Sequence, residues 1–157
     1  MSHSKKLVLV AVGTMLMVLL LFADAASQTK NSAPATEAKS SLFNYRNVSI
    51  GMKADDARKA LGEPKEKADD QDFYVFAETE SAQVYYDAGR NVTAISITYF
   101  GDLSKVPSAK TVLGEDALPK ADGSIFKTVR LPKAGYSVSY SKTAGDAPTV
   151  SITLQKF

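Results

Sequence analysis

Between Val92 and Phe100 the chain reads "VTAISITYF", in which Ile95, Ile97 and Tyr99 alternate with Ser96 and Thr98. A period of two puts the apolar set on one face of a strand and the hydroxyls on the other, as in an antiparallel sheet with one buried face. "DFYVFAE" (Asp72 to Glu78) and "AQVYYD" (Ala82 to Asp87) are also rich in aromatic and β-branched residues, and "DAGRN" (Asp87 to Asn91), between "AQVYYD" and "VTAISITYF", is a hairpin signal. A different period comes first. In "IGMKADDARKALGEP" (Ile50 to Pro64), Met52, Ala54, Ala57 and Leu61 fall close to helical spacing and form one apolar stripe. Gly51 suits a turn with unusual backbone angles, and Asp55 and Asp56 complement the helix dipole in the first turn, with Arg58 and Lys59 further along. Gly62 suits a left-handed residue after the last turn, and Pro64 prevents continuation. The spacing predicts a short helix that covers the buried face of the strands that follow.

The same order recurs. "ARKALGE" (Ala57 to Glu63) matches "AKTVLGE" (Ala109 to Glu115), where Leu113 and Gly114 repeat the stop of the first helix. "AQVYYD" matches "YSVSYS" (Tyr136 to Ser141), and "AISIT" (Ala94 to Thr98) matches "TVSIT" (Thr149 to Thr153). The offsets are 52, 54 and 55 residues, so the drift falls in loops, which tolerate insertions. Collinear matches in one order predict a duplication: an α+β fold of two tandem modules, residues 42–103 and 104–157, each a short helix or helix pair on a three- to four-stranded antiparallel sheet. Pro107 sits in "LSKVPSAKTVLG", where only a first-turn proline is tolerated, and leaves the start of the second helix open.

The N-terminus changes the picture of where the fold begins. Lys5 and Lys6 precede the apolar run Leu7 to Phe22, followed by "ADA" at Ala23 to Ala25, which reads as a signal peptide over residues 1–25, or as an uncleaved N-terminal anchor. On either reading the remainder is exported, to the periplasm or the extracellular space. Residues 26–41 are mostly Ser, Ala, Thr, Lys and Asn with one Pro and no large apolar side chain, a composition expected of a flexible linker. Removing residues 1–25 takes away Lys5, Lys6 and Asp24 and leaves 17 basic against 16 acidic side chains, too even for a nucleic-acid footprint. Membrane contact is expected only through residues 7–22, if they are retained.

"IGMKADDARKALGEP" followed by three strands resembles the SmpA/OmlA domain of the BamE outer-membrane assembly factors, whose modules often have a Gly-Met-Thr helix start and a Leu-Gly-x-Pro stop. Gly51, Met52, Leu61, Gly62 and Pro64 carry the match. Lys53 stands at the usual capping Thr, and the second copy has Asp116 where Pro64 stands in the first. The tandem arrangement is similar to the β-lactamase inhibitor proteins, which implies a concave sheet surface that binds another protein.

Candidate chemistry is narrow. The only histidine, His3, precedes the expected cleavage point and there is no cysteine, so the exported part lacks a Ser-His or Cys-His pair and the usual zinc ligands. No cofactor or metal is expected, and the chain is read as a non-enzyme. Asp69, Asp70 and Asp72 in "KADDQDF" suit either a weak calcium site or a solvated turn; the missing Gly and distal Glu of a calcium loop favour the turn. If Ile95, Ile97, Val150, Ile152 and Leu154 face the helices, Ser96, Thr98, Ser151, Thr153 and Gln155 face outward, joined by Tyr85, Phe100, Ser137 and Ser139. A hydroxyl-rich face with aromatic side chains suits a protein partner, because Tyr offers contact area at low entropic cost. The expected partner is another envelope or secreted protein. An adaptor or assembly factor is the leading reading, and a secreted inhibitor of an extracytoplasmic enzyme the alternative.

Overall fold

The structure, a computed structural model, describes residues 45–157. The signal segment 1–25, the linker 26–41 and the expected start at Leu42 lie outside the described residues. Helix α1 (Ala54–Leu61) is followed by β1 (Glu66–Lys67), β2 (Gln71–Ala77), β3 (Glu80–Tyr86) and β4 (Val92–Tyr99). Helix α2 (Ala109–Leu113) is followed by β5 (Ile125–Leu131), a 3-10 turn at Pro132–Ala134, β6 (Tyr136–Lys142) and β7 (Val150–Lys156). All strands join one seven-stranded antiparallel sheet in the order β1-β2-β3-β4-β7-β6-β5. The class is α+β. Among the described residues no helix is long and apolar enough to cross a membrane.

The alternation read in the sequence sets the faces. Across the sheet, Val84, Ile95, Leu154 and Val138 are directly opposed in one row, and Tyr74, Ala82, Ile97, Ile152 and Tyr140 in the next. All nine side chains are buried. Large and small residues alternate where Ala82 sits between Tyr74 and Ile97, which leaves room for the aromatic ring without a void. The paired strands β4 and β7 lie at the centre, so the core runs continuously across their seam.

Helix α1 is too short to persist alone and is fixed by docking. Ala54 and Ala57 are its buried residues, with Met52 and Leu61 packed part-buried against the core, and two methyl-sized contacts let the helix approach the sheet closely. Lys53 gives no side-chain cap. The start is held instead by the β3–β4 hairpin: Ala54 N–H donates to Arg90 O (2.9 Å), Gly51 N–H donates to Val92 O (2.8 Å) and Val92 N–H donates to Met52 O (2.8 Å). The "IGM" segment is thus a turn held against the hairpin, with Gly51 at φ +86°, and it leads into a single bridge between Lys53 and Asn91.

Four expectations at element ends need correcting or completing. Gly62 is not left-handed helical: at φ 88°, ψ −164° it occupies an extended positive-φ region that is essentially restricted to glycine. Gly114, at φ 71°, ψ 10°, is the left-handed residue, and its N–H donates to Lys110 O (2.8 Å). Pro107 precedes the N-cap Ser108, whose Oγ accepts from Thr111 N–H (3.2 Å), so the proline lies outside α2 and breaks nothing. Strand β5 was not foreseen, because Lys127 interrupts the apolar alternation of Ile125, Val129 and Leu131. Its Nζ reaches the carbonyl of Asp116 (2.8 Å) and pairs with Glu115 (3.4 Å), which satisfies the charge beside the core.

The two glycines give a first test. Gly62→Ala is expected to lower stability by about 2–3 kcal/mol and Gly114→Ala by about 1 kcal/mol, because only the first forces a side chain into the extended positive-φ region. A Cβ on Gly62 meets nothing within 4 Å, so the cost is backbone strain alone. Urea unfolding of both variants measures the order, and equal losses would contradict it.

Candidate protein-binding face

Among the described residues the helices cover one face of the sheet; the other carries no helix and is built from alternate residues of every long strand. Its central row runs Phe73, Gln83, Ser96, Thr153, Ser139, Thr128 across β2 to β5. The next row runs Val75, Ser81, Thr98, Ser151, Ser141, Phe126. Ser96, Thr98, Ser151 and Thr153 are therefore one contiguous patch on the paired central strands, with Ser96 Oγ 3.2 Å from Thr153 Oγ1. Neighbouring strands lie about 4.8 Å apart, so the hydroxyls form a dense array able to donate and accept in any combination.

Tyr85 stands beside this patch, opposite Ala94, and its hydroxyl donates to Gln83 Oε1 (2.9 Å), which fixes the ring. It lines a shallow depression of about 550 Å³ together with Ser96, Thr153, Gln155, Lys156 and Asp70. Phe100 is placed elsewhere. It lies one residue beyond β4, 40% exposed, with its N–H donating to Thr79 O (3.0 Å) at the β2–β3 turn. Six residues of strand separate it from Ala94, about 20 Å at the usual rise, so Tyr85 and Phe100 do not share one contact spot.

Apolar residues of the face were missed, Phe73 of the central row and two exposed ones in the next. Val75 and Phe126, 48% and 61% exposed, stand at opposite ends of the row that holds Thr98 and Ser151. Phe126 was hidden because β5 was unread; Val75 belongs to "DFYVFAE", where apolar residues on both faces blur the alternation.

Behind the sheet, the acidic turn divides. Asp69 and Asp70 are exposed, but Asp72 is fully buried at the end of the Val84–Ile95–Leu154–Val138 row, a correction to the solvated-turn reading. Arg58 of α1 meets it with Nε to Oδ2 at 2.7 Å and a second guanidinium nitrogen to Oδ1 at 2.9 Å, a bidentate pair. Tyr86 donates to Oδ2 at 2.7 Å and Tyr74 at 3.4 Å. Burial alone would raise the carboxyl pKa of Asp72, but the hydrogen bonds from Arg58 and Tyr86 outweigh it and hold the group below the usual carboxylate range. Burial and the adjacent carboxylate push Tyr86 well above its ordinary value and Tyr74 up to about 12, so both are neutral donors at physiological pH. A second ion pair, Arg46 with Glu80 (3.0 Å), lies over the Phe76 ring, and Tyr45 donates to the same carboxylate.

Among the described residues no group of three or more His, Cys, Asp and Glu side chains is placed to hold a metal ion. Each hydroxyl of the Ser96–Thr153 contact meets another hydroxyl, which supplies no general base, so the patch is suited to hydrogen bonding rather than to nucleophilic attack. No family model matches the chain, and neither the curated proteins nor the solved structures contain a match.

Proposed function

We propose that this chain is an exported, non-catalytic protein-binding module of the cell envelope, an adaptor or assembly factor of the BamE kind, built from two tandem helix-and-sheet copies spanning residues 42–103 and 104–157. The observation that carries the binding reading is the open sheet face, where Ser96, Thr98, Ser151 and Thr153 form a hydroxyl array between Tyr85 on one side and the exposed Val75 and Phe126 at its ends. Rigid strands present these groups in fixed positions, so little ordering entropy is lost on contact. Support for the duplicated reading comes from the order helix, then three long strands, which occurs twice, with the last strand of each run meeting at the centre. Export rests on the sequence of residues 1–25.

The alternative is a secreted inhibitor of an extracytoplasmic enzyme. It is favoured by one feature, the continuity of the open face across β4 and β7, which offers one partner a single large surface.

A photo-crosslinking residue placed at Tyr85, at Thr98 or at the exposed helix position Ala60 of the tagged chain in its own cells tests the reading. Adducts are expected from the first two positions and not from Ala60, and Tyr85→Ala is expected to weaken capture by about tenfold. An envelope assembly complex as the adduct supports the adaptor, and one soluble enzyme whose turnover the chain suppresses supports the inhibitor. Equal adducts from Ala60, or none from the sheet, would end the proposal.

A further inference from the structure

The two edges of the sheet are built differently. At one edge β1 is only two residues long, and its neighbour β2 carries a bulge between Val75 and Ala77, so the edge is short and irregular. At the other edge β5 runs seven residues, Ile125–Leu131, in unbroken register with β6. Among the described residues no strand lies beyond it, and its only backbone bond outside the β5–β6 ladder is the turn bond from Gly135 N–H to Leu131 O. Among the described residues, one side of its backbone is therefore unpaired. Such edges are ready templates for strand addition, and proteins usually blunt them.

Charge selects the occupant. From Ile125 to Lys142 the β5–β6 hairpin holds four cations, Lys127, Arg130, Lys133 and Lys142, and no Asp or Glu. Lys127 is engaged by the loop after α2, but no carboxylate lies within ion-pair distance of Arg130, Lys133 or Lys142 among the described residues. A second copy of the chain would set these cations against their own kind, which disfavours self-pairing. Phe126 and Arg130 project on the open face, so a strand laid beside β5 would find an apolar anchor and a cation two registers apart.

We propose that β5 is a strand-addition site for an extended acidic segment of a partner protein, which joins as an eighth strand with its carboxylates beside Arg130 and Lys133. This goes beyond contact through the open face and does not depend on it. The main-chain bonds supply the fixed geometry, and the basic hairpin supplies the choice of partner and speeds the encounter.

The test uses the isotopically labelled full chain and synthetic peptides of about nine residues that alternate Thr with Glu. Controls are the same peptide with alternate backbone nitrogens methylated and a Lys-for-Glu version. The expected result is that the acidic peptide protects β5 amides from hydrogen exchange, that both controls fail to do so, and that the double variant R130E/K133E binds at least about tenfold more weakly. Equal binding of the methylated or Lys peptide would overturn the proposal, as would protection confined to β4 and β7, or dimerisation through β5 in sedimentation of the chain alone. If R130E/K133E unfolds, the contrast between acidic and methylated peptides on the unaltered chain decides the matter. Failure here with crosslinks still forming at Tyr85 would leave the face reading standing, so the two are separable.

Discussion

Arg58→Ala is expected to destabilise the protein by about 3–5 kcal/mol, more than Asp72→Ala, which should cost about 3 kcal/mol or less. The asymmetry follows from burial. Without Arg58, Asp72 is a fully buried carboxylate with only two tyrosine donors left, whereas without Asp72 the guanidinium, 14% exposed, is near enough to solvent to regain water. Urea unfolding of the two single variants and the double variant measures this; the double variant should lie close to Asp72→Ala, and additive losses would argue against a coupled pair.

The pH dependence sharpens the same result. The native pKa of Asp72 lies below its unfolded value of about 3.9, so its contribution to stability is present above that value and is lost as pH falls through the native pKa. In Arg58→Ala the main force holding the pKa down is gone and burial raises it above the unfolded value. The sign then reverses: the deficit relative to the unaltered protein should shrink toward acid and be largest near neutrality. At the alkaline end Tyr74, with its pKa near 12, and Tyr86, raised further, contribute stability below their unfolded pKa of about 10 that is lost as pH climbs through their native values. A deficit independent of pH from about 3 to 8 would contradict the assignment.

Leu154→Ala should cost about 2–5 kcal/mol, the range for emptying a fully buried leucine site. Its informative consequence is cooperative. Leu154 lies on β7 directly between Ile95 of β4 and Val138 of β6, so the cavity opens at the seam of the two strand runs. Tyr86 reports on one run and Tyr140 on the other, and hydrogen exchange of strands β3 and β6 should lose protection together. Two separated unfolding transitions, with only β5 to β7 affected, would mean that the runs fold independently.

Much of the sheet was legible because alternation is a local property: in "VTAISITYF" and "TVSITLQ" the buried and open sets can be named residue by residue, and Ser96, Thr98, Ser151 and Thr153 fell on the open side as expected. The helix at Ala54 to Leu61 was legible from its stripe. Less legible were features satisfied from a distance. Asp72 looks like a turn residue beside Asp69 and Asp70, since its partner Arg58 lies 14 residues upstream. The missing cap at Lys53 is replaced by the Arg90 carbonyl, which accepts from the Ala54 N–H far back along the chain. Lys127 reads as a break in a strand until the loop carbonyl that receives it is known.

By itself the sequence determined the α+β class, the helix positions, five of the six long strands and, for all of these but β2, side chains presented to the open face, because period and turn chemistry are written over a few consecutive residues. The tertiary structure decided that β4 and β7 pair and so merge all strands into one sheet, that Asp72 is buried in a bidentate ion pair, and that β5 is left as an open basic edge. Those outcomes depend on contacts between distant segments. Pairing partner, burial of a charge and exposure of an edge are properties of the assembled packing, which no local pattern encodes.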